Sequence, residues 1–175
     1  MRAFLSLLLL STLFYGTACN DFDNSAEAGS ETEADYLIFG QFYGFCAGPE
    51  CVTLYRLDSG TISESADREV QDDYADVLNP PYNGDFEPRS QRLFDVAKDL
   101  QTTIPTALFD VKESVLGIPD AYDQGGIYLE MSRDGVVYTW RLDNDLESIP
   151  AFLRDYATDI KRVMVELRRE SEVPD

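Results

Sequence analysis

Histidine is absent from the 175 residues, and this absence restricts the chemistry that the chain can perform. Serine–histidine and cysteine–histidine mechanisms both use the imidazole as a general base, so they are excluded. Histidine is also a common zinc ligand, and the three cysteines alone do not complete a four-ligand site. No glycine-rich phosphate-binding loop follows a predicted strand. The remaining route to hydrolysis is a pair of carboxylates, as in glycosidases.

Basic residues are scarce, with 14 lysines and arginines against 33 aspartates and glutamates and a net charge of −19. A surface of this charge repels nucleic acids and anionic lipid head groups. We therefore expect no nucleic-acid partner, and the sequence indicates no cofactor. The charge permits cationic partners or calcium, although solubility alone is sufficient to explain it.

No apolar run reaches the roughly 20 residues that a membrane-spanning helix needs. The nearest approach is residues 4–14, which follow Met1-Arg2 and precede the small residues 16–18. A charged start, an apolar segment and small residues in this order are typical of a secretory signal. We expect residues 1–18 to be removed. That takes away Arg2 and no acidic residue, and leaves 13 basic residues, 33 acidic residues and a net charge of −20.

The three cysteines separate into a close pair and a single residue. Cys46 and Cys51 enclose Ala-Gly-Pro-Glu, whose turn formers let the thiols meet, and a disulfide there should stabilise the fold by about 2 kcal/mol. The spacing differs from the two-residue gap of redox motifs. Cys19 directly follows the small residues of the signal. We expect it to be lipidated, because it would otherwise be an unpaired thiol in an oxidising compartment. Gly16 and Ala18 also permit ordinary signal cleavage.

Residues 19–34 combine many acids with one sizeable apolar side chain, Phe22, which predicts a disordered acidic tether after the lipidated cysteine. Residues 35–170 are then expected to form a single domain. The predicted signal and lipid place this body in the cell envelope. We expect it to be anchored to the outer membrane, either in the periplasm or exposed at the surface.

The domain is predicted to begin with three strands. Residues 35–45 are apolar on both faces, so this strand is expected at the centre of its sheet. Residues 52–58 and 61–65 flank the two-residue turn Ser59-Gly60, which pairs Leu57 with Ile62. Residues 66–88 are acidic and contain several prolines, and they are interpreted as a solvated loop, with a partner-binding loop as the alternative.

A second hairpin is predicted around Asp134-Gly135, a strong type I′ turn signal. Glu130 and Tyr128 then fall on one face of the hairpin, and six apolar residues share the other, buried face. The six form three cross-strand pairs: Met131 with Tyr138, Leu129 with Trp140, and Ile127 with Leu142. Trp140, the only tryptophan, is accordingly predicted to lie in the core.

Two helices complete the prediction. Residues 89–103 and the segment from Pro150 to Leu167 both carry apolar side chains at helical spacing. The expected fold class is α+β, an antiparallel sheet of about five strands in the order β-β-β-α-β-β-α with its helices packed on one face.

Two further patterns are candidate sites. Asp143, Asp145 and Glu147 alternate after a predicted strand and are weak candidates for calcium ligands, although they lack the full calcium-loop pattern and fit a solvated turn better. A cluster of aromatic residues is either a sugar-stacking face or, more in keeping with aromatic packing, part of the core. Its members are Tyr36, Phe39, Phe42, Tyr43, Phe45 and Tyr55.

Residues 35–57, the segment Asp123-Gln124-Gly125-Gly126 and the closing helix resemble a family of small, uncharacterised lipoproteins of Bacteroidota-type bacteria. Its members share a Tyr-Leu-Ile-Phe-Gly strand, a nearby cysteine pair and an Asp-Gln-Gly-Gly strand start. Members often carry Cys-Pro-Asp-Cys before this last motif, where this chain has Ile118-Pro119-Asp120-Ala121, so any role of those cysteines is lost here. The resemblance covers most of residues 35–167 and implies an envelope localisation without an assigned activity.

Two functional hypotheses follow. The first is a non-enzymatic, lipid-anchored envelope protein that contacts the membrane through its lipid and binds a protein or glycan partner or acts as an inhibitor. The second is a carboxylate-dependent hydrolase acting on envelope polysaccharide, which requires a pocket with two carboxyl groups roughly 5–9 Å apart. No catalytic residue is identified from the sequence, which favours the first hypothesis.

Overall fold

The computed structural model describes residues 34–66 and 70–171, which form an α+β fold. The strands of this part are Tyr36–Phe42 (β1), Val52–Asp58 (β2), Thr61–Ser65 (β3), Phe86–Pro88 (β4), Val115–Leu116 (β5), Gly126–Arg133 (β6) and Val136–Asp143 (β7). The α-helices are Val70–Leu78 (α1), Gln91–Ala97 (α2), Asp99–Thr102 (α3) and Arg154–Ser171 (α4). Short 3-10 helices span Pro49–Cys51, Thr106–Asp110, Leu146–Ser148 and Ala151–Leu153.

The strands form one mixed sheet in the order β4-β3-β2-β1-β6-β7-β5. The central position predicted for β1 is confirmed, since it pairs antiparallel with both β2 and β6. The predicted antiparallel sheet of about five strands is only roughly met, because the sheet of the described residues has seven strands and β5 runs parallel to β7. The additional strands β4 and β5 have three and two residues, too few for an alternating pattern to appear in the sequence.

Both predicted hairpins are confirmed, including their register. Ser59 and Gly60 have φ values of 44° and 85°, and Asp134 and Gly135 have 54° and 74°, as a type I′ turn requires. The predicted pairs form in both hairpins: Leu57 with Ile62, Met131 with Tyr138, Leu129 with Trp140, and Ile127 with Leu142.

One face of the sheet carries the larger apolar core, to which α2, α3 and α4 contribute. The long helix α4 contributes Ile160, Val163 and Leu167, all of which are buried. Trp140 and Leu129 lie in this same core, as the predicted register requires. The helix predicted over residues 89–103 divides at Lys98 into α2 and α3.

The opposite face is also covered by a helix, so the prediction that the helices pack on one face is wrong. Helix α1 and the segment after it place Val77 and Tyr82 against Ile38, Phe42 and other residues of the sheet. The predicted solvated loop 66–88 therefore contains a helix and the edge strand β4. A helix this short depends on tertiary packing rather than on intrinsic propensity. Its acidic residues also make the apolar side chains that pack difficult to recognise in the sequence.

The folded part begins earlier than predicted. Ala34, which was assigned to the tether, is buried, and its carbonyl accepts a 2.7 Å hydrogen bond from the side-chain amide of Gln101. The signal segment 1–18, the lipidation site Cys19 and the rest of the predicted tether lie outside the described residues. Among the described residues, no helix has the length and apolar character needed to cross a membrane.

Candidate binding surface

Three large apolar side chains are strongly exposed at the end of the sheet where β1 ends and β6 begins. Phe45, Ile118 and Tyr122 are 82%, 69% and 87% exposed, more than any other large apolar side chain of the described residues. Phe45 follows β1, and the other two lie in the loop before β6. We name residues 43–51, residues 117–125 and helix α1 the disulfide-end surface. Exposed apolar side chains grouped in this way mark a candidate contact surface.

The carboxylate of Asp120 joins the three parts of this surface. Its Oδ2 accepts hydrogen bonds from the backbone N–H of Gly44 at 2.9 Å and from the hydroxyl of Tyr74 at 3.0 Å. Its Oδ1 accepts the N–H of Gly125 at 2.9 Å. Burial, and then the hydrogen bond and charge of Asp120, raise the pKa of Tyr74. One side chain therefore ties the cysteine loop, α1 and the start of β6 together.

Two glycines, Gly44 and Gly125, lie where these parts meet. A Cβ atom on Gly44 would overlap the Asp120 carboxylate and the Tyr74 ring. Gly125 has φ of +70°, and a Cβ atom there would overlap the Tyr43 ring and the Phe42 carbonyl. The Phe42 backbone and the positive φ exclude a larger residue at Gly125, whereas a larger residue at Gly44 would displace the side chains of Asp120 and Tyr74.

The predicted disulfide between Cys46 and Cys51 is confirmed, with the two Cα atoms 5.5 Å apart. Beside it, the Tyr43 N–H donates to the Cys51 carbonyl at 2.8 Å. Cys51 is fully buried, whereas Phe45 next to the bridge is exposed. The bridge closes the loop that presents Phe45.

Replacing Asp120 by asparagine is expected to lower the free energy of unfolding by about 1–3 kcal/mol, because an amide has one acceptor oxygen for three donors that now share a carboxylate. Urea unfolding followed by circular dichroism measures the change. Asp123→Asn is the matched control, since Asp123 is exposed and also has a positive φ, 56° against 61° for Asp120. Equal stability of the two variants would show that the bridge contributes nothing.

A cleft of about 210 Å³ adjoins the surface. It is lined by three carboxylates, Glu50, Glu64 and Asp73, and by the polar residues Thr53 and Ser65. Two of the carboxylates already contact protein groups. Glu64 accepts a hydrogen bond from Nε of Arg89 at 2.8 Å, and Asp73 accepts one from the Tyr82 hydroxyl at 2.9 Å. These contacts fix the carboxylates in place at the wall of the cleft.

A buried polar network lies on the second face of the sheet, where the sequence reasoning did not predict one. Glu130 is 1% exposed and accepts hydrogen bonds from the Tyr36 hydroxyl and the Tyr82 N–H, both at 2.9 Å, and from the Tyr128 hydroxyl. The guanidinium of Arg56 lies over the Tyr36 ring, 4.2 Å from its centroid. An acidic residue flanked by apolar residues in a strand is the only sequence signal of this network, and the segment around Tyr82 that covers it is distant in sequence.

The raised pKa values of four tyrosines predict a loss of stability at alkaline pH. Burial raises the pKa of Tyr36 to about 12, and the charge of Glu130 and its hydrogen bond add to the shift. Burial also raises the pKa of Tyr55, Tyr128 and Tyr156 above the usual tyrosine value. Because the folded-state values lie above the unfolded one, the stability that they contribute is complete below about pH 10 and is lost as pH rises through the folded-state values.

The free energy of unfolding from urea titrations is therefore expected to hold steady up to about pH 9.5 and to fall above pH 10, by about 1.4 kcal/mol per pH unit for each fully buried tyrosine, and the urea midpoint falls with it. Tyr156→Phe should make the fall shallower, whereas Tyr122→Phe, at an exposed position, should leave the profile unchanged. A midpoint that stays constant to about pH 11 contradicts the burial of these hydroxyls.

The carboxylates of the weak calcium candidates Asp143, Asp145 and Glu147 each accept hydrogen bonds from protein groups. Asp143 is 2% exposed and accepts hydrogen bonds from the Ile118 N–H at 2.8 Å, the Asp145 N–H at 2.9 Å and the Gln124 side chain at 3.1 Å. Glu147 pairs with Arg154 at 2.8 Å. Within residues 34–66 and 70–171, no three metal-ligating side chains come together. Asp143 thus holds the loop that carries Ile118.

The aromatic cluster considered as a sugar-stacking face does not form one surface. Phe39 and Tyr55 lie in the larger core, and Phe42 is buried on the opposite face of the sheet. Tyr36 and Tyr43 are half-buried, which leaves Phe45 as the exposed member. The core interpretation holds for the three buried rings, and Phe45 belongs to the disulfide-end surface.

Comparisons of the chain with models of protein families, with curated proteins and with solved structures gave no match. The geometry of the described residues is therefore the basis for a functional assignment.

Proposed function

We propose that the protein is a lipid-anchored cell-envelope protein whose folded body is a non-enzymatic binding module. The observation that carries the binding role is the exposure of Phe45, Ile118 and Tyr122 on a framework fixed by a disulfide and by Asp120. A preorganised framework reduces the entropy lost on association, so rigid exposed aromatic side chains are effective contact residues.

The position of the chain entry is consistent with an anchored binding module. The described chain enters β1 from Ala34, next to the turn of the β6–β7 hairpin, where the Asp35 N–H donates to the Ser132 carbonyl. Strand β1 then runs toward the disulfide, a distance of roughly 20 Å at 3.3 Å per residue. The described chain therefore enters β1 at the end remote from the disulfide-end surface.

Lipidation is tested by mass spectrometry of the N-terminal peptide from the protein purified out of its native membrane. We expect a diacylglycerol adduct on Cys19, and Cys19→Ala should release the protein from the membrane fraction. An unmodified thiol at Cys19 eliminates the lipid anchor from the proposal.

Binding is tested by placing a photo-reactive phenylalanine analogue at position 45 or 122 and irradiating intact cells. Position 152 is the matched control, because Phe152 is also exposed, at 42%, but lies in the 3-10 helix before α4. We expect a discrete cross-linked product at positions 45 and 122 and not at position 152. Equal cross-linking at all three positions argues against a specific surface.

A carboxylate-dependent hydrolase acting on envelope polysaccharide is the second candidate, and the acid-lined cleft is the observation that favours it. A cleft of about 210 Å³ is smaller than the roughly 300–1,000 Å³ of ligand pockets, which is why we rank it second. The test is release of reducing ends from purified envelope polysaccharide. Hydrolysis that Glu50→Gln or Glu64→Gln abolishes supports this candidate, and the absence of any release removes it.

A further inference from the structure

The three segments of the disulfide-end surface are rich in acidic residues. They contain six acidic residues and neither lysine nor arginine. The acidic residues are Glu50, Asp72, Asp73, Asp76, Asp120 and Asp123, of which Asp73 is buried. Arg141, which is outside these segments, is near enough for its charge to act on Tyr74. Residues 67–69, which precede α1 in the sequence, add two acidic residues and one arginine, so the charge balance stays acidic. A surface of this charge attracts cationic partners and repels nucleic acids, anionic lipids and acidic glycans.

The exposed rings select for the same kind of partner. Phe45 and Tyr122 are both more than 80% exposed. Each ring face carries negative electrostatic potential, so it binds the ammonium of lysine or the guanidinium of arginine as well as apolar side chains. Ile118 adds purely apolar surface. The surface therefore fits a chain in which basic and apolar side chains alternate.

The adjoining cleft has the size and chemistry for one basic side chain. It shares Glu50 and Asp73 with the disulfide-end surface, and Glu64 lies on its wall. Carboxylates form strong, charge-assisted hydrogen bonds with ammonium and guanidinium groups. Glu64 already makes such a bond within the protein, to Arg89 at 2.8 Å. A cleft of about 210 Å³ admits a single side chain rather than a larger ligand.

We propose that the partner of the disulfide-end surface is a cationic polypeptide segment in which lysine or arginine is interspersed with apolar residues. This inference rests on the proposed binding function and specifies the partner. The apolar side chains of the segment cover Phe45, Ile118 and Tyr122, and one basic side chain enters the cleft beside Glu50.

The probe is a short synthetic peptide in which lysine alternates with leucine, titrated into the folded protein by calorimetry at low salt and at about 0.3 M NaCl. Peptides with glutamate in place of lysine, or serine in place of leucine, and a neutral oligosaccharide are the comparison ligands. We expect the lysine–leucine peptide to bind more tightly than the others, and to weaken with salt without being abolished.

Two pairs of variants separate specific recognition from general attraction to an acidic protein. Phe45→Ser with Tyr122→Ser should weaken binding at least about tenfold, against less than about twofold for Phe152→Ser. Glu50→Gln with Asp123→Asn should weaken it about fivefold. The same loss of two charges outside the surface, through Asp110→Asn with Asp134→Asn, should have less than about half that effect.

Equal losses from the two charge pairs, or tighter binding of the oligosaccharide, overturn the inference about the partner. Cross-linking in cells then decides what remains of the proposed function. A partner captured through positions 45 and 122 that is a glycan or an acidic protein removes this inference and leaves the binding function in place. Equal cross-linking at positions 45, 122 and 152 contradicts both the inference about the partner and the proposed binding function.

Discussion

Replacing Trp140 by alanine is expected to lower the free energy of unfolding by about 3–5 kcal/mol, the range for removing a buried aromatic side chain. Trp140 is 3% exposed and lies in the larger core. Its ring is stacked on Tyr138, with the centroids 6.0 Å apart and the planes at 7°. The Phe109 ring packs against it at 79°, with the centroids 6.4 Å apart. The substitution leaves a cavity between the sheet and the 3-10 helix Thr106–Asp110.

Far-UV circular dichroism in urea is the measurement for this variant, because Trp140 is the only tryptophan and its fluorescence is lost with it. Val137→Ala on the same strand is the control, since Val137 is 44% exposed and its truncation should cost less than about 1 kcal/mol. If the two variants are equally stable, the ring cluster around position 140 does not support the hairpin.

The two hairpins were predictable from sequence because local chemistry determines them. Asp134-Gly135 and Ser59-Gly60 supply the positive φ angles of the turns, and each turn then fixes the register of its strands. Trp140 could therefore be assigned to the core before any tertiary contact was known. The disulfide was predictable for the same reason, since Cys46 and Cys51 are close along the chain.

The second face of the sheet was not predictable, because long-range packing determines it. Helix α1 has acidic residues among its apolar ones, and its burial depends on contacts with β2 and other distant residues. If α1 is not recognised in the sequence, the face that carries Tyr128 and Glu130 is predicted to be exposed rather than buried. The segment after α1 contacts Glu130 through the Tyr82 N–H, so Glu130 is a buried carboxylate.

The binding surface was missed for a related reason. Phe45 is one of six aromatic residues between positions 36 and 55, and the sequence alone does not separate the exposed ring from the buried ones. The separation arises where β1 ends and the chain turns into the disulfide loop. Asp120, which holds this loop to α1, is 76 residues from Gly44 along the chain, so no local pattern marks the contact.

Replacing Glu130 by alanine is expected to lower the free energy of unfolding by roughly 2–6 kcal/mol. The substitution leaves the Tyr128 hydroxyl and the Tyr82 N–H buried without this acceptor, at about 1–3 kcal/mol for each unsatisfied donor. The Tyr36 hydroxyl adds less because Tyr36 is partly exposed. Glu87→Ala is the control, since the Glu87 side chain is 62% exposed and its loss should change stability by less than about 0.5 kcal/mol.

A double-mutant cycle between Glu130→Ala and Tyr128→Phe identifies the cause of the loss. If the cost arises from a donor left without an acceptor, Tyr128→Phe removes that donor, and the double variant should be at least about 1 kcal/mol more stable than the sum of the single effects predicts. Strictly additive effects would instead attribute the loss to the missing side-chain volume. In that case the Glu130 side chain stabilises the fold only by packing between the sheet and the Tyr82 segment, and the hydrogen bonds to its carboxylate do not stabilise the fold.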